Sequence, residues 1–533
     1  MYPYIPIIIA CFTLINISSY YILLFHSPQY TVFLGTVHYP LDYLYYLSFI
    51  TQGKTHWLRA YHLFTGERIR LEFLNWIYVL GGHIGSLFHL EPRIMYQVMV
   101  VGGSIIYLIM AYKLVCLLMP KNTSRQLMLF VLFLTSNAFP RIYEEGGKWI
   151  FSYYYPYNNF GHPFVRLSNV PHFLVIQTAI MATVYFAVLF RQKHSVRYGI
   201  LLAITGLILG SLQPVQWAFM TGILALGMLI IHCTIWVTRS ERSQLPLSKI
   251  INQLLPAFSL FVGGIIPALY LKHLFSLPPY ADVALWENNQ QIRISFWHFI
   301  RLNGPLMILA IAGLPFVVRK LSTASFIVIL NAFLTALLFF SPIPSYMCIM
   351  NIRFISVLPT LAFAYISTIV HWDLAKRIDR ARTAACAWLL AFLALAITIP
   401  ATLRQLYERT QISPPQDVNT YLPAGAYQAF AVAARAAGER DIVLVEPTFT
   451  QAFAAISGRH VYASNSFATI DYERKSREVM DFFYNTKMTG QDRVAFLNKN
   501  NIRYIVGYAW APLDLPKLIS LYKNDYMILY KVE

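Results

Sequence analysis

Residues 73–90 read FLNWIYVLGGHIGSLFHL. The run is eighteen residues long and holds no Asp, Glu, Lys or Arg, close to the ~20 apolar residues a membrane-crossing helix needs. Whether it crosses decides the topology of everything after it. Outward from it, eleven apolar runs near span length recur at 5–25, 94–119, 126–141, 171–190, 198–213, 216–237, 252–275, 303–318, 322–340, 353–371 and 383–402. Five basic clusters lie between them: Lys113/Lys121/Arg125, Arg191/Lys193/Arg197, Arg239/Arg242/Lys249, Arg319/Lys320 and Lys376/Arg377/Arg380/Arg382. With 73–90 left out of the count, all five fall on alternate turns, as expected when Lys and Arg stay on the cytoplasmic side. Counting it breaks that alternation. Residues 26–93 therefore read as one long external segment with interfacial amphipathic helices, its Trp and Tyr content suited to the water–lipid boundary.

The expected fold is a mainly α polytopic membrane protein of about 11 transmembrane helices, with the N-terminus in the cytoplasm and the C-terminus outside. Residues 1–25 have no basic n-region and no clear cleavage site, and read as an uncleaved first span. Composition agrees. The 533 residues are 57% hydrophobic and only 12% charged, half the ~25% of an average soluble domain, and the mean hydropathy is +0.51. That excludes an ordinary soluble enzyme, a disordered chain and a disulfide scaffold. The five cysteines (Cys11, Cys116, Cys233, Cys348 and Cys386) lie in or beside apolar runs and show no metal-ligand spacing.

The formal charge of +18 is unevenly placed. Residues 415–533 carry 13 Lys+Arg and 12 Asp+Glu, so +17 belongs to residues 1–414. Most of it sits on the turns read as cytoplasmic, and topology accounts for it. It is no evidence for a nucleic-acid partner; the partner it implies is the lipid bilayer.

The domains follow: a transmembrane portion, 1–403, with long external loops at 26–93, 141–170 and 276–302 and a shorter one at 341–352; a linker, 404–423, containing Pro414 and Pro415; and a small external α/β domain, 424–533. In the last, strand-like runs (441–447, 460–465, 503–509, 526–532) alternate with helical stretches near 424–436, 472–485 and 489–500.

An external, membrane-proximal site must draw on few carboxylates: Asp42, Glu67, Glu72, Glu91, Glu144, Glu145, Asp282 and Glu287. Asp42 stands in HYPLDYLYYLSFITQGKTHWL (38–58), soon after the first span. Flanking Tyr, Leu and Phe would hold it at the boundary, where lost hydration raises the basicity of a carboxylate. Such a group can accept the proton of an acceptor hydroxyl; a helix N-cap or an exposed interfacial charge is the plainer alternative. Glu144 or Glu145 could position an acceptor or help bind a divalent cation, although an acidic pair on a solvated turn is the simpler account. The aromatic run Trp149, Tyr153, Tyr154, Tyr155, Tyr157 could stack on a sugar or line a prenyl groove, or form an interfacial belt. Arg353 and, less strongly, Arg166 suit a phosphate, which a guanidinium grips bidentately; snorkelling at a span end fits Arg353 equally well. Asn169 and His172 lie near Arg166 and could hydrogen-bond a diphosphate or hydroxyl. Gln213, Pro214 and Gln216 form a tight turn expected to shape a cavity. The 276–302 loop could close over a lipid or be a solvated connector. No His/Asp/Glu cluster has diagnostic metal spacing, so metal dependence stays open, with a divalent cation the candidate cofactor.

A single acid in the first external loop resembles the GT-C superfamily of polytopic glycosyltransferases. LDYLYYLSFITQGKTHWL (41–58), SNVPHF (168–173), SGRHVYASNSFATIDYERKSREVMDFF (457–483) and NIRYIVGY (501–508) are similar to patches of uncharacterised bacterial members, over about a quarter of the chain. The resemblance implies a polyprenyl-phosphate-linked sugar as donor, a glycan, lipid or protein as acceptor, and Asp42 as catalytic base. It further implies transfer on the extracytoplasmic face of the plasma membrane. A non-catalytic protein that transports or organises lipid-linked glycans is the alternative; a transporter would be expected to carry mid-span charges, and mid-span carboxylates are absent from this sequence. A third account is a sensor whose α/β domain binds a ligand.

Overall fold

Each of the eleven apolar runs yields a helix. The computed structural model describes residues 4–37, 39–120, 122–153, 162–163, 167, 170–238, 247–318, 321–411 and 417–533. Arg166, Asn169, Tyr154, Tyr155, Tyr157, Lys121, Arg239, Arg242, Arg319, Lys320, Pro414 and Pro415 lie outside the described residues. The chain begins with α1 (Tyr4–Phe25), β1 (Thr31–Phe33), α2 (Pro40–Gln52), α3 (Trp76–Leu87), α4 (Pro92–Leu118) and α5 (Thr123–Thr135), then a hairpin of β2 (Pro140–Glu145) and β3 (Lys148–Tyr153). Next come α6 (Pro171–Lys193), α7 (Val196–Leu212), α8 (Pro214–Thr238), α9 (Leu247–Leu274), α10 (Tyr280–Asn288), α11 (Phe296–Asn303), α12 (Pro305–Val317) and α13 (Thr323–Phe340). A 3-10 turn (Asn351–Phe354) leads into α14 (Leu358–Ile378) and α15 (Thr383–Thr410). The last part runs β4 (Tyr421–Pro423), α16 (Ala424–Ala436), β5 (Ile442–Val445), α17 (Thr450–Ser457), β6 (His460–Val461), α18 (Tyr472–Tyr484), α19 (Gly490–Lys499), β7 (Ile502–Tyr508), β8 (Leu518–Lys523) and β9 (Met527–Val532).

Among the described residues, seven helices are long and apolar enough to cross a membrane, and α11 with α12, bent by 104°, forms an eighth candidate. Helices α5 and α7 are shorter and apolar. The chain is an integral membrane protein. Helix α14, the remaining one of the eleven, has a mixed surface because it is an interior helix: Thr360, Ser367, Thr368 and His371 are all buried. Helix α3 has only 12 residues, about 18 Å at 1.5 Å per residue, too short to cross a core of ~30 Å.

By packing, the chain divides into two units. One comprises Met1–Asn16, Gly102–His273 and Leu285–Glu408; the other Ile17–Val101, Leu274–Ala284 and Arg409–Glu533. The first is a helical bundle around Leu129, Phe133, Ile180, Leu224, Ile327 and Leu361, all fully buried. Small residues let its helices touch backbone to backbone: a Cβ on Gly206 would lie 2.2 Å from the Leu260 carbonyl oxygen, and one on Gly263 1.9 Å from that of Ala203. The corner between α11 and α12 is Gly304, at φ +74°, where a Cβ would meet the Asn137 carbonyl oxygen at 1.9 Å. Asn137 is itself held by Thr402 Oγ1 (3.1 Å) and Gln405 Oε1 (2.9 Å).

The second unit joins three separate pieces of chain. Strand β1 pairs antiparallel with β4, Val32 opposite Leu422. Of residues 404–423, Arg404–Thr410 thus continue α15 and Tyr421–Pro423 form a strand. The five-stranded sheet has the order β6-β5-β7-β9-β8. β5 is parallel to β6 and β7, while β9 is antiparallel to β7 and β8. One face carries Val443 and Val445 against Phe430 and Phe453; the other carries Ile442, Leu444 and Ile505 against Val479, Phe482 and Leu497. Alternation along β5 divides its side chains between two cores.

Candidate active site

Asp42 owes its place to α2. Tyr39, in the left-handed region at φ 50°, occupies the N-cap, Pro40 begins the helix, and Asp42 stands in its first turn. It is therefore not an N-cap residue. The inner face of α2 buries Tyr43, Leu44, Leu47 and Ile50. Tyr43 donates to the Leu34 carbonyl (2.6 Å), Tyr46 stacks on Tyr78 at 4.7 Å, and Gln451 Nε2 donates to the Leu41 carbonyl (2.7 Å). Gly53 and Gly82 allow α2 and α3 to meet: a Cβ on Gly82 would lie 2.0 Å from the Ile50 carbonyl oxygen. So α2 is anchored on every side, while the Asp42 side chain points away from the packed face and is exposed. Among the described residues no donor reaches its carboxylate. Solvent touches the group, yet the surrounding protein strips enough hydration to raise its pKa. A helix N-terminus would lower it; desolvation wins.

Behind α2 lies a buried polar cluster. Glu72 is 7% exposed and His62 2%. Tyr280, at the start of α10, donates its hydroxyl to Glu72 Oε2 and lies 3.3 Å from His62 Nδ1. His62 Nε2 donates to the Ala468 carbonyl at 2.5 Å, which leaves Nδ1 of the neutral ring bare as an acceptor. Burial pushes Glu72 up to about 7 and holds His62 down at about 4. Glu72, the Tyr280 hydroxyl and His62 thus form one buried polar cluster. Tyr280 also brings part of the 276–302 segment into this unit. A second buried contact joins Lys475, 2% exposed, to Glu67 and to Thr65 Oγ1 (3.2 Å).

In the other unit, Arg353 does not open a span. It lies in the 3-10 turn Asn351–Phe354, four residues before α14 becomes regular. Asn351 pins that turn by donating to the carbonyls of Ile292 (2.9 Å) and Phe339 (3.0 Å), and Gln216 Nε2 donates to the Arg353 carbonyl (2.6 Å). The guanidinium is paired with Glu287 through Nη2 to Oε1 and Nε to Oε2 (3.3 Å).

Glu144 and Glu145 lie on β2, where residue alternation around the Gly146–Gly147 turn makes a hairpin rather than an irregular loop. Both are exposed; Glu144 pairs across the strands with Trp149, and Glu145 with Lys148. His172 lies in the first turn of α6, its ring 4.4 Å from that of Phe173. Among the described residues, no group of three or more His, Cys, Asp or Glu is arranged to hold a metal ion.

No protein-family model matches the chain, and no curated protein matches it. Solved structures do. The archaeal oligosaccharyltransferase AglB from Archaeoglobus fulgidus, solved with an inhibitory peptide and a dolichol-phosphate, matches 95% of this chain and 69% of its own, with TM-score 0.54 and 11% identity. The Archaeoglobus fulgidus oligosaccharyltransferase tethered to an acceptor peptide containing the NVT sequon matches 100% and 74%, with TM-score 0.51 and 13% identity. The chain shares the fold of these oligosaccharyltransferase structures. ArnT from Cupriavidus metallidurans bound to undecaprenyl phosphate is a looser match, at TM-score 0.47 and 12% identity over 98% and 97%.

The sequence points to Asp42 but not to the Glu72–Tyr280–His62 cluster. Glu72 was among the few carboxylates, yet nothing in its neighbours announces burial. Glu287 was likewise noted without its partner; a carboxylate and an arginine 66 residues apart carry no mutual signal.

Proposed function

We propose that this protein is an inverting membrane glycosyltransferase. It moves a sugar, hexose or pentose, from a polyprenyl-phosphate carrier to a glycan, lipid or protein acceptor on the extracytoplasmic face of the plasma membrane. The N-terminus is cytoplasmic, and the 424–533 domain lies outside with the 26–93 segment. One observation carries the proposal: a single carboxylate, Asp42, stands on a helix soon after α1 with no donor among the described residues and a raised pKa. That is what a general base requires. The GT-C fold supports the class.

In the proposed step Asp42 takes the proton of the acceptor hydroxyl as its oxygen attacks the anomeric carbon. The bond from that carbon to the phosphate oxygen breaks, and its electron pair leaves with the phosphate. Inversion follows from this single displacement. Arg353 holds the departing phosphate and offsets its gathering charge, with Arg166 as a second cation. Asn169 and His172 hydrogen-bond the diphosphate or sugar, and Glu144 and Glu145 position the acceptor.

The test uses full-length protein in lipid nanodiscs with a panel of undecaprenyl- and dolichyl-(di)phosphate sugars. Donor consumption by the wild type, and its loss in Asp42→Asn with carrier-lipid binding intact, is the expected result. Wild-type protein that consumes no donor but moves it across a liposome bilayer would establish the transport alternative.

A further inference from the structure

The C-terminal sheet contains a feature that transfer chemistry does not use. From β5 the chain passes through α17 to β6 on one side; from β6 it passes through α18 and α19 to β7 on the other side. The residues that follow the two adjacent parallel strands diverge. Phe453 of α17 packs with Val443 and Val445, whereas Leu513 and Leu515, after β7, pack on the opposite face with Leu444 and Phe482. Strand order therefore reverses at β5, and in open α/β sheets a crevice outside the carboxyl ends of the strands forms at such a point and takes ligands.

The residues at the carboxyl ends of β5 and β7 are aromatic and acidic. Glu446 directly follows β5, and Tyr508 ends β7. Trp510 lies flat on Tyr508, rings 4.8 Å apart and 28° from parallel, and is still 69% exposed. Tyr526 meets Tyr508 edge-on at 5.9 Å, over a floor made by the fully buried Phe449. Glu446 is 1% exposed and accepts hydrogen bonds from Thr448 N (3.0 Å), Thr448 Oγ1 (3.1 Å) and the Tyr484 hydroxyl. Among the described residues no cation pairs with it, and no partner reaches the Tyr526 hydroxyl. Tyr484 is half exposed, and an oxygen that donates to Glu446 still accepts from a ligand.

We propose that this crevice is a carbohydrate-binding site that takes a neutral pyranose ring, its apolar face on Trp510 and its hydroxyls on Tyr484 and Tyr526. A flat ring backed by a second ring offers a rigid stacking surface at little entropic cost. Phenolic hydroxyls set the sugar's orientation. With no cation paired to the Glu446 carboxyl among the described residues, the site favours neutral over sulfated or uronic sugars. The site stands on this unit's own residues and holds whether or not Asp42 is a base.

The test presents full-length protein in nanodiscs to a printed panel of neutral gluco-, manno- and galacto-oligosaccharides and their uronic or sulfated counterparts. At least one neutral glycan should be retained. Trp510→Ala should weaken it tenfold or more, and Trp510→Phe should restore part of the loss. An unaltered melting profile shows that the Trp510 variants fold. The proposal is overturned if no glycan is retained, if only anionic glycans are, or if Trp510→Ala binds normally.

Discussion

The guanidinium of Arg353 is held along its Nε–Nη2 edge by the carboxylate of Glu287 on α10. Both side chains keep about a third of their surface in solvent. The pair is a bidentate fork, the geometry that a phosphate also satisfies. If Arg353 is to bind a carrier phosphate, Glu287 must release it first.

Glu287→Gln should therefore bind undecaprenyl phosphate several-fold more tightly than the wild type, because a neutral amide competes less well for the fork. Arg353→Lys should bind at least tenfold more weakly, since an ammonium cannot replace the planar fork. Microscale thermophoresis in nanodiscs reads both. Weaker binding by Glu287→Gln would mean that the pair builds the site rather than occupies it.

Asp42→Asn should cut transfer by at least a hundredfold, the lower range for loss of a general base, with little change in donor KM. In the wild type, kcat/KM should rise with pH along one limb, because only ionised Asp42 accepts a proton. Desolvation raises that group, so the limb should lie above the ordinary carboxylate range. A pH–rate profile locates it, and an unchanged limb in Asp42→Glu would assign it to another group.

Glu72 links pH to stability in the opposite sense to a salt-bridged acid. Its folded pKa, about 7, exceeds the 4.5 of an unperturbed glutamate, so the folded state binds the proton more tightly. Its contribution is complete below pH ~4.5 and is lost as pH rises through ~7, an effect of roughly 3 kcal/mol. Hydrogen exchange of the Ala60–Glu72 bridge and of α10, corrected for intrinsic rate, should quicken from pH 5.5 to 8.5. Glu72→Gln should abolish the trend. If the trend persists in that variant, Glu72 is not its source.

Lys475 is buried, and its loss of hydration is offset by Glu67. Glu67→Gln removes the carboxylate in contact with that ammonium. Because Glu67 is 40% exposed, solvent screens part of the loss, and the cost should be about 1–3 kcal/mol. Scanning fluorimetry should show a lower Tm, recovered in the double variant Glu67→Gln/Lys475→Met. No recovery would mean that Glu67 acts through Thr65 alone.

The strands were legible where they are apolar. Ile442–Val445 and Met527–Val532 are runs of Ile, Val, Leu and Met bounded by polar residues, and they stand out at any register. Leu518–Lys523 did not: it is an edge strand with a mostly exposed surface and no hydrophobic alternation to announce it. Arg141–Glu144 and Trp149–Ser152 carried a hairpin signal in their two central glycines, easily read as loop because neither strand has a core to face.

By itself the sequence determined the helices, the small α/β region and the short roster of carboxylates. Hydropathy and propensity act over one or two turns, and those properties are local. Only the tertiary structure decided which carboxylates are used up. Glu72 meets Tyr280 across 208 residues, Lys475 meets Glu67 across 408, and Glu287 meets Arg353 across 66, while Asp42 meets no donor among the described residues. Which charge finds which partner depends on how packed faces bring distant backbone together, and no local pattern encodes that.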